Sequence, residues 1–126
     1  MIDSMSDPSL SLLAEKAAEA ASLLKALSNE KRLLIMCHLI SSGELTVGAL
    51  VDEIGLSQSA LSQHLARLRN DGLVTFRREA QTLYYRIADP KTGRVIEVLR
   101  DIYCPELGAL TPMKSTSPFW NVEIAG

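Results

Sequence analysis

No run of apolar residues in this sequence approaches the ~20 that a membrane helix needs. The opening residues, MIDSMSDPS, lack the basic and apolar blocks of a signal peptide, so a cytoplasmic protein with no membrane partner is expected. Cysteine is scarce as well, with two in 126 residues. In a reducing compartment two cysteines rest as thiols and do not staple a fold. There are only two histidines, His38 and His64. No paired carboxylates, no Ser/His/Asp arrangement and no phosphate-cradling glycine loop accompany them, so no enzyme and no cofactor is expected. A thiol peroxidase would need an exposed, activated cysteine.

The composition itself is that of an ordinary globular domain, 47% hydrophobic and 22% charged. Net charge is −2, which argues against indiscriminate nucleic-acid binding. Its distribution matters more than its sum. Five of the eight arginines (Arg67, Arg69, Arg77, Arg78 and Arg86) lie between Ser57 and Ala88, against only Asp71 and Glu79. A locally basic face on an acidic protein still attracts phosphate, in a salt-dependent way.

That basic region contains the most informative stretch, TVGALVDEIGLSQSALSQHLARLRNDG, from Thr46 to Gly72. Val47, Leu50, Val51 and Ile54 have helical spacing behind a Thr46 cap, and Gly55 suits a left-handed turn. Ser57 can cap a second helix whose Ala60, Leu61, Leu65 and Leu68 turn inward. Asn70, Asp71 and Gly72 stop it. Ser57, Gln58, Ser59, Ser62, Gln63, His64 and Arg67 remain as candidates for DNA contact. This is the helix-turn-helix pattern, in which one helix braces and the next meets base edges. Gln and Arg can bond bases in pairs, and Ser reaches a base or a phosphate. An ordinary helix pair with a solvated polar face fits the same spacing.

Next come two β-rich runs, Leu73 to Arg78 and Leu83 to Ile87, joined through Glu79-Ala80-Gln81-Thr82. They predict a hairpin. Directly after a recognition helix, a hairpin is a wing, with Arg77, Arg78 and Gln81 over a minor groove or along phosphates. The competing reading is a small hairpin whose charged edges deter aggregation.

The flanking segments read as helices. Leu10, Leu13, Ala14, Ala17, Ala21 and Leu24 form a stripe over Ser9 to Leu27. Leu33, Met36, Cys37 and Ile40 form a second over Glu30 to Ile40, which puts Cys37 on a buried stripe. Asp89-Pro90 opens a final helix with Val95, Val98, Leu99 and Ile102 at i, i+3, i+4 and i+7, closing at Cys104 before Pro105. The expectation is therefore a mainly α fold with a small β-hairpin (α+β), of four helices, two strands and a fifth helix. Residues 1–8 are expected to be disordered, 9–104 to form the domain, and 105–126 to be a tail without an assigned role. The first and last helices are expected to make a homodimer, which suits two-fold symmetric DNA.

This order of elements resembles a winged helix-turn-helix repressor of the ArsR family. The resemblance rests on LKALSNEKRL (residues 24–33), ELTVGAL (44–50), LSQSALSQHL (56–65) and the wing from Gly72-Leu73-Val74 to Tyr84-Tyr85. It covers about Leu10 to Cys104 and implies double-stranded operator DNA as the partner. Many relatives sense metals, but Thr46 and Gly48 stand where their C-x-C ligands would be, and no histidine lies between Pro90 and Cys104. No metal site is expected. The remaining pattern resembles the subgroup that includes BigR, SqrR and HlyU, in which two cysteines respond to reactive sulfur species or oxidants. That resemblance makes Cys37 and Cys104 a thiol switch and persulfide, polysulfide or an oxidant the small-molecule inducer. Alternatives stay open: an oxidant sensor forming a plain disulfide, a metal sensor using both thiols with outside ligands, a winged helix used for protein–protein contact, or two cysteines that merely pack.

Overall fold

The computed structural model describes residues 8–106. These form α1 (Pro8–Leu27), α2 (Glu30–Ser42), β1 (Leu45–Thr46), α3 (Val47–Ile54), α4 (Gln58–Asn70), β2 (Val74–Glu79), β3 (Thr82–Ile87) and α5 (Pro90–Tyr103). This is the winged helix-turn-helix arrangement, mainly helical with a hairpin. Helix α1 begins at Pro8, inside the stretch expected to be disordered, because proline is pre-set for a first helical position. The expectations for residues 1–7 and 107–126 fall outside the described residues.

Two features depart from the sequence reading of the sheet. A third strand, β1, pairs with β3 through Leu45↔Tyr85 and Thr46↔Tyr84, giving the antiparallel order β1-β3-β2. Two residues are too few for alternation to reveal a strand. The hairpin loop is also tighter than expected, because Glu79 and Thr82 pair and only Ala80 and Gln81 turn. Ala80 takes φ 60° there, a conformation that costs a Cβ-bearing residue some strain.

The core gathers around α2. Ile35, Met36, Leu39, Leu50, Leu61, Leu65, Leu68, Val74, Ile87 and Ile96 are almost wholly buried, each worth about 1.5–3 kcal/mol in apolar burial. The buried side of α2 is Ile35, Met36, Leu39 and Ile40. Leu33 and Cys37, expected on the buried stripe, are only partly buried at its edge. Helix α2 is apolar at Leu33, Leu34, Ile35, Met36, Cys37, Leu39 and Ile40, so periodicity alone leaves the angle of its buried face open.

Both end helices turn their predicted stripes outward. Leu10, Leu13 and Leu24 of α1 are exposed, and the helix docks through Leu23, Ala26 and Leu27 in its last turns. In α5 the buried residues are Thr92, Gly93, Ile96 and Arg100. Val98 and Ile102, expected on one stripe with Val95 and Leu99, face solvent with Tyr103. A stripe chosen for apolar character marks a face that something will cover, and within one chain that need not be the core. Between α1 and α5 an open groove of about 730 Å³ is lined by Leu23, Lys16, Glu19, Lys91 and Val95 among others.

Candidate DNA interface and thiol pocket

Local hydrogen bonds build the helix-turn-helix. Thr46 Oγ1 accepts from the Ala49 N–H at 3.1 Å and starts α3. Gly55 ends it at φ 85°, ψ 17°, where a side chain would be strained, and its N–H donates to the Val51 carbonyl. Ser57 Oγ accepts from the Ala60 N–H at 3.1 Å and starts α4. With Leu61, Leu65 and Leu68 buried, helical geometry leaves Gln58, Ser59, Ser62, Gln63 and Arg67 exposed on the far side. Ser57 is exposed at its head.

Besides Ser57, two of the sequence-derived candidates, Arg67 and Arg77, have partners among the described residues, and His64 sits in a partly buried environment. Arg67 Nε lies 3.5 Å from Asp71, one turn on. Burial, then the charge of Arg32, pushes the His64 pKa down. Arg77 donates from Nε and Nη2 to both carboxylate oxygens of Glu44, at 2.9 and 3.1 Å. It also reaches Glu79 at 3.4 Å and stacks on the Tyr84 ring at 4.4 Å. That bidentate hydrogen bond holds the Glu44 carboxyl below the usual carboxylate range. Arg78, the next strand residue, points to the opposite face of the sheet and is exposed, as is Gln81 at the wing tip.

The sequence reading missed the residues that fix the wing to its helix. Arg69, at the end of α4, lies 4.4 Å over the Phe76 ring of β2, and Phe76 packs on Tyr85 at 5.3 Å. Glu44, just before β1, clamps Arg77 from across the sheet. Aromatic residues in β2 and β3 were the available signal, but their partners sit on distant segments.

Between α2 and α5 lies an open pocket of about 350 Å³. Leu33, Leu34 and Leu99 supply apolar walls, and Cys37, Cys104 and Arg100 line it with them. Both cysteines are free thiols. Burial raises the Cys37 pKa above its ordinary 9.0, Arg100 pulls it down, and negative charge on Cys104 would push it up again. Cys104 caps α5, its N–H donating to the Arg100 carbonyl at 2.7 Å. Arg100 was not among the candidates, since arginine is rarely buried. Its Nη1 donates to Ser41 Oγ at 3.2 Å. His38, the pocket's other titratable group on α2, lies 3.8 Å from Glu53. Among the described residues no group of three or more His, Cys, Asp or Glu could hold a metal ion. None of the described helices is long and apolar enough to cross a membrane.

Comparison with known proteins places this geometry. Residues 29–75 match the family model described as "Bacterial regulatory protein, arsR family". The transcriptional activator HlyU of Vibrio cholerae is 51% identical over 90 residues, 71% of this chain and 82% of that protein. Its structure in reduced form aligns with a TM-score of 0.69 at 50% identity, over 73% of this chain and 96% of that one. The transcriptional repressor BigR of Xylella fastidiosa aligns with a TM-score of 0.68 at 38% identity, over 75% and 92%. A homodimeric winged helix-turn-helix DNA-binding domain of Mycobacterium bovis aligns with a TM-score of 0.61 at 34% identity, over 71% and 82%.

Proposed function

This chain belongs to the ArsR family of bacterial transcriptional regulators, and we propose that it is a homodimeric, cytoplasmic repressor of operator DNA switched by two thiols. In this reading it has no catalytic role. The base-reading surface is the exposed side of α4: Ser57, Gln58, Ser59, Ser62, Gln63 and Arg67, with His64 at its edge. Arg78 and Gln81 of the wing contact the backbone or minor groove, and Arg77 orders the wing through Glu44. The homodimer uses the outward apolar faces of α1 and α5. Its support is twofold: those faces have no cover among the described residues, and a relative of the same fold is described as homodimeric.

The inducer is a persulfide or polysulfide. The Cys37 thiolate attacks the outer sulfur of a persulfide, the S–S bond of the donor breaks, and the donor's thiolate leaves. Repetition lengthens the sulfur chain on Cys37. Cys104 thiolate then attacks the sulfur next to the end of that chain, expels the terminal sulfur as hydrosulfide and closes the bridge. A direct disulfide needs Cα atoms roughly 4.4–6.8 Å apart, whereas inserted sulfur atoms tolerate a wider gap. Bridging ties α2 to α5, the helix with the outward face, and thereby alters the spacing of the two α4 helices on half-sites ~34 Å apart.

The observation that carries this reading is that both thiols line one cavity between those two helices. Fluorescence anisotropy of reduced protein on DNA from its own promoter tests it, with glutathione persulfide and hydrogen peroxide in parallel. Release by persulfide alone, reversed by a thiol reductant and absent in Cys37→Ser, is the expected result. Release by both reagents would make it a general oxidant sensor. Binding that survives both would return the thiols to packing.

A further inference from the structure

The pocket holds one group that the sulfur exchange just described does not use. Arg100 is only 9% exposed, and its hydrogen bonding is incomplete. Nη1 is taken by Ser41, and Nη2 lies 3.7 Å from Glu97 and 3.9 Å from Asp101. Nε is wholly buried and has no hydrogen-bond partner among the described residues. A buried donor left unpaired is rare in folded proteins, so this guanidinium is under-satisfied where it lines the pocket with Cys37 and Cys104.

The charges around Cys37 single out the same residue. From α5 it faces Arg100, Tyr103 and Cys104; from its own helix, His38, which leans towards Glu53 of α3. Arg100 is the permanent cation among them, lines the same pocket and pulls the Cys37 pKa down, while its Nη2 lies near Glu97 and Asp101.

We infer that Arg100 is the positioning residue of this pocket, orienting the Cys37 thiolate and anchoring a small sulfur anion of the persulfide or polysulfide class against it. This rests on the thiol-switch reading. A persulfide ionises more readily than a thiol, so its encounter with a thiolate brings two like charges together, and a fixed guanidinium offsets that repulsion. In the step itself the held anion takes a proton from solvent at its outer sulfur, and the Cys37 thiolate bonds that sulfur. The donor's S–S bond breaks, its thiolate departs, and the persulfide left on Cys37 ionises by returning the proton to solvent. Two negative charges enter and two remain, with no outside oxidant and no proton passing through Arg100.

Charge-matched thiol reagents test this on the reduced, full-length protein. Cys37 labelling is followed by peptide mass spectrometry with anionic sulfonatoethyl and cationic trimethylammonioethyl methanethiosulfonate. The ratio of the two rates is referred to that of a free cysteine peptide. Wild type should favour the anion by about tenfold over the peptide, the equivalent of one pKa unit. Arg100→Gln should bring the ratio to the peptide's value and shift Cys37 alkylation by neutral iodoacetamide to higher pH. Arg100→Lys should restore most of both, which a purely structural arginine would not predict. A wild-type ratio equal to the peptide's overturns the inference even if Arg100→Gln fails to fold, and so does an unchanged ratio in folded Arg100→Gln. Persulfide-driven DNA release with a flat ratio removes only the role of Arg100. A high ratio without release leaves an anion site and removes the switch.

Discussion

Helices α4 and α5 are both amphipathic and nearly equal in length, yet they differ in what they hide and what they present. Helix α4 hides Leu61, Leu65 and Leu68 and presents glutamine, serine and arginine. Helix α5 hides Ile96 together with the polar Thr92 and Arg100 and presents Val98, Ile102 and Tyr103, the last two 62% and 77% exposed. The apolar side of α4 is satisfied within the chain, so its polar side is free to meet a polar partner. The outward apolar residues of α5 have no cover among the described residues, and its inward side carries a guanidinium and the edge of the thiol pocket. In the proposed function, α4 reads DNA and α5 couples the thiols to the dimer.

The difference is sharpest for truncations. Leu65→Ala should cost about 2–5 kcal/mol in urea unfolding, because it leaves a cavity in a packed core. Ile102→Asp should leave the circular dichroism spectrum intact and raise the dimer dissociation constant by about tenfold or more in sedimentation, a charge placed in an apolar contact being costly. A monomeric wild type, or an Ile102→Asp protein as dimeric as wild type, would break the contrast between the two faces.

On the proposed reading face, Gln63→Ala should weaken operator binding by about 1–3 kcal/mol, roughly 5- to 150-fold, with stability unchanged within about 0.5 kcal/mol. Loss of stability in place of affinity would mean that α4 is an ordinary packed helix. Ser57→Ala should lose about 1 kcal/mol in thermal or urea unfolding, because the Ala60 N–H loses its cap. The smallest effect concerns the wing. Glu44 has its pKa lowered by Arg77, so its contribution is complete above the ordinary carboxylate pKa of about 4.3 and fades as pH falls through the depressed folded value. Melting temperatures between pH 7 and pH 3 should fall less steeply in Glu44→Gln than in wild type.

The parts of the molecule that were legible in advance depend on neighbours within a turn. Thr46, Gly55 and Ser57 announce α3, the corner and α4 because capping and left-handed turns involve residues two to four apart. The hairpin was readable from its β-rich runs, although its two-residue turn places an alanine, not glycine, at positive φ. Helix α2 was readable as a helix but not as a face, since apolar residues surround much of its circumference. Strand β1 was not readable, because its two residues acquire strand geometry only by pairing with β3.

From the sequence alone followed the order of helices and hairpin, their caps, the polar residues along α4 and the family resemblance that singled out Cys37 and Cys104. Tertiary structure alone decided which sides of α1, α2 and α5 face inward. It also joined Arg77 to Glu44 across 33 residues and Arg100 to Ser41 across 59. Local patterns record the geometry of a single helix or turn, in which partners are fixed by short covalent distance. A buried arginine, a clamped wing and a cavity with two thiols depend on segments that meet only when the core closes. Their free energy lies in that closure, so no window of the sequence contains it.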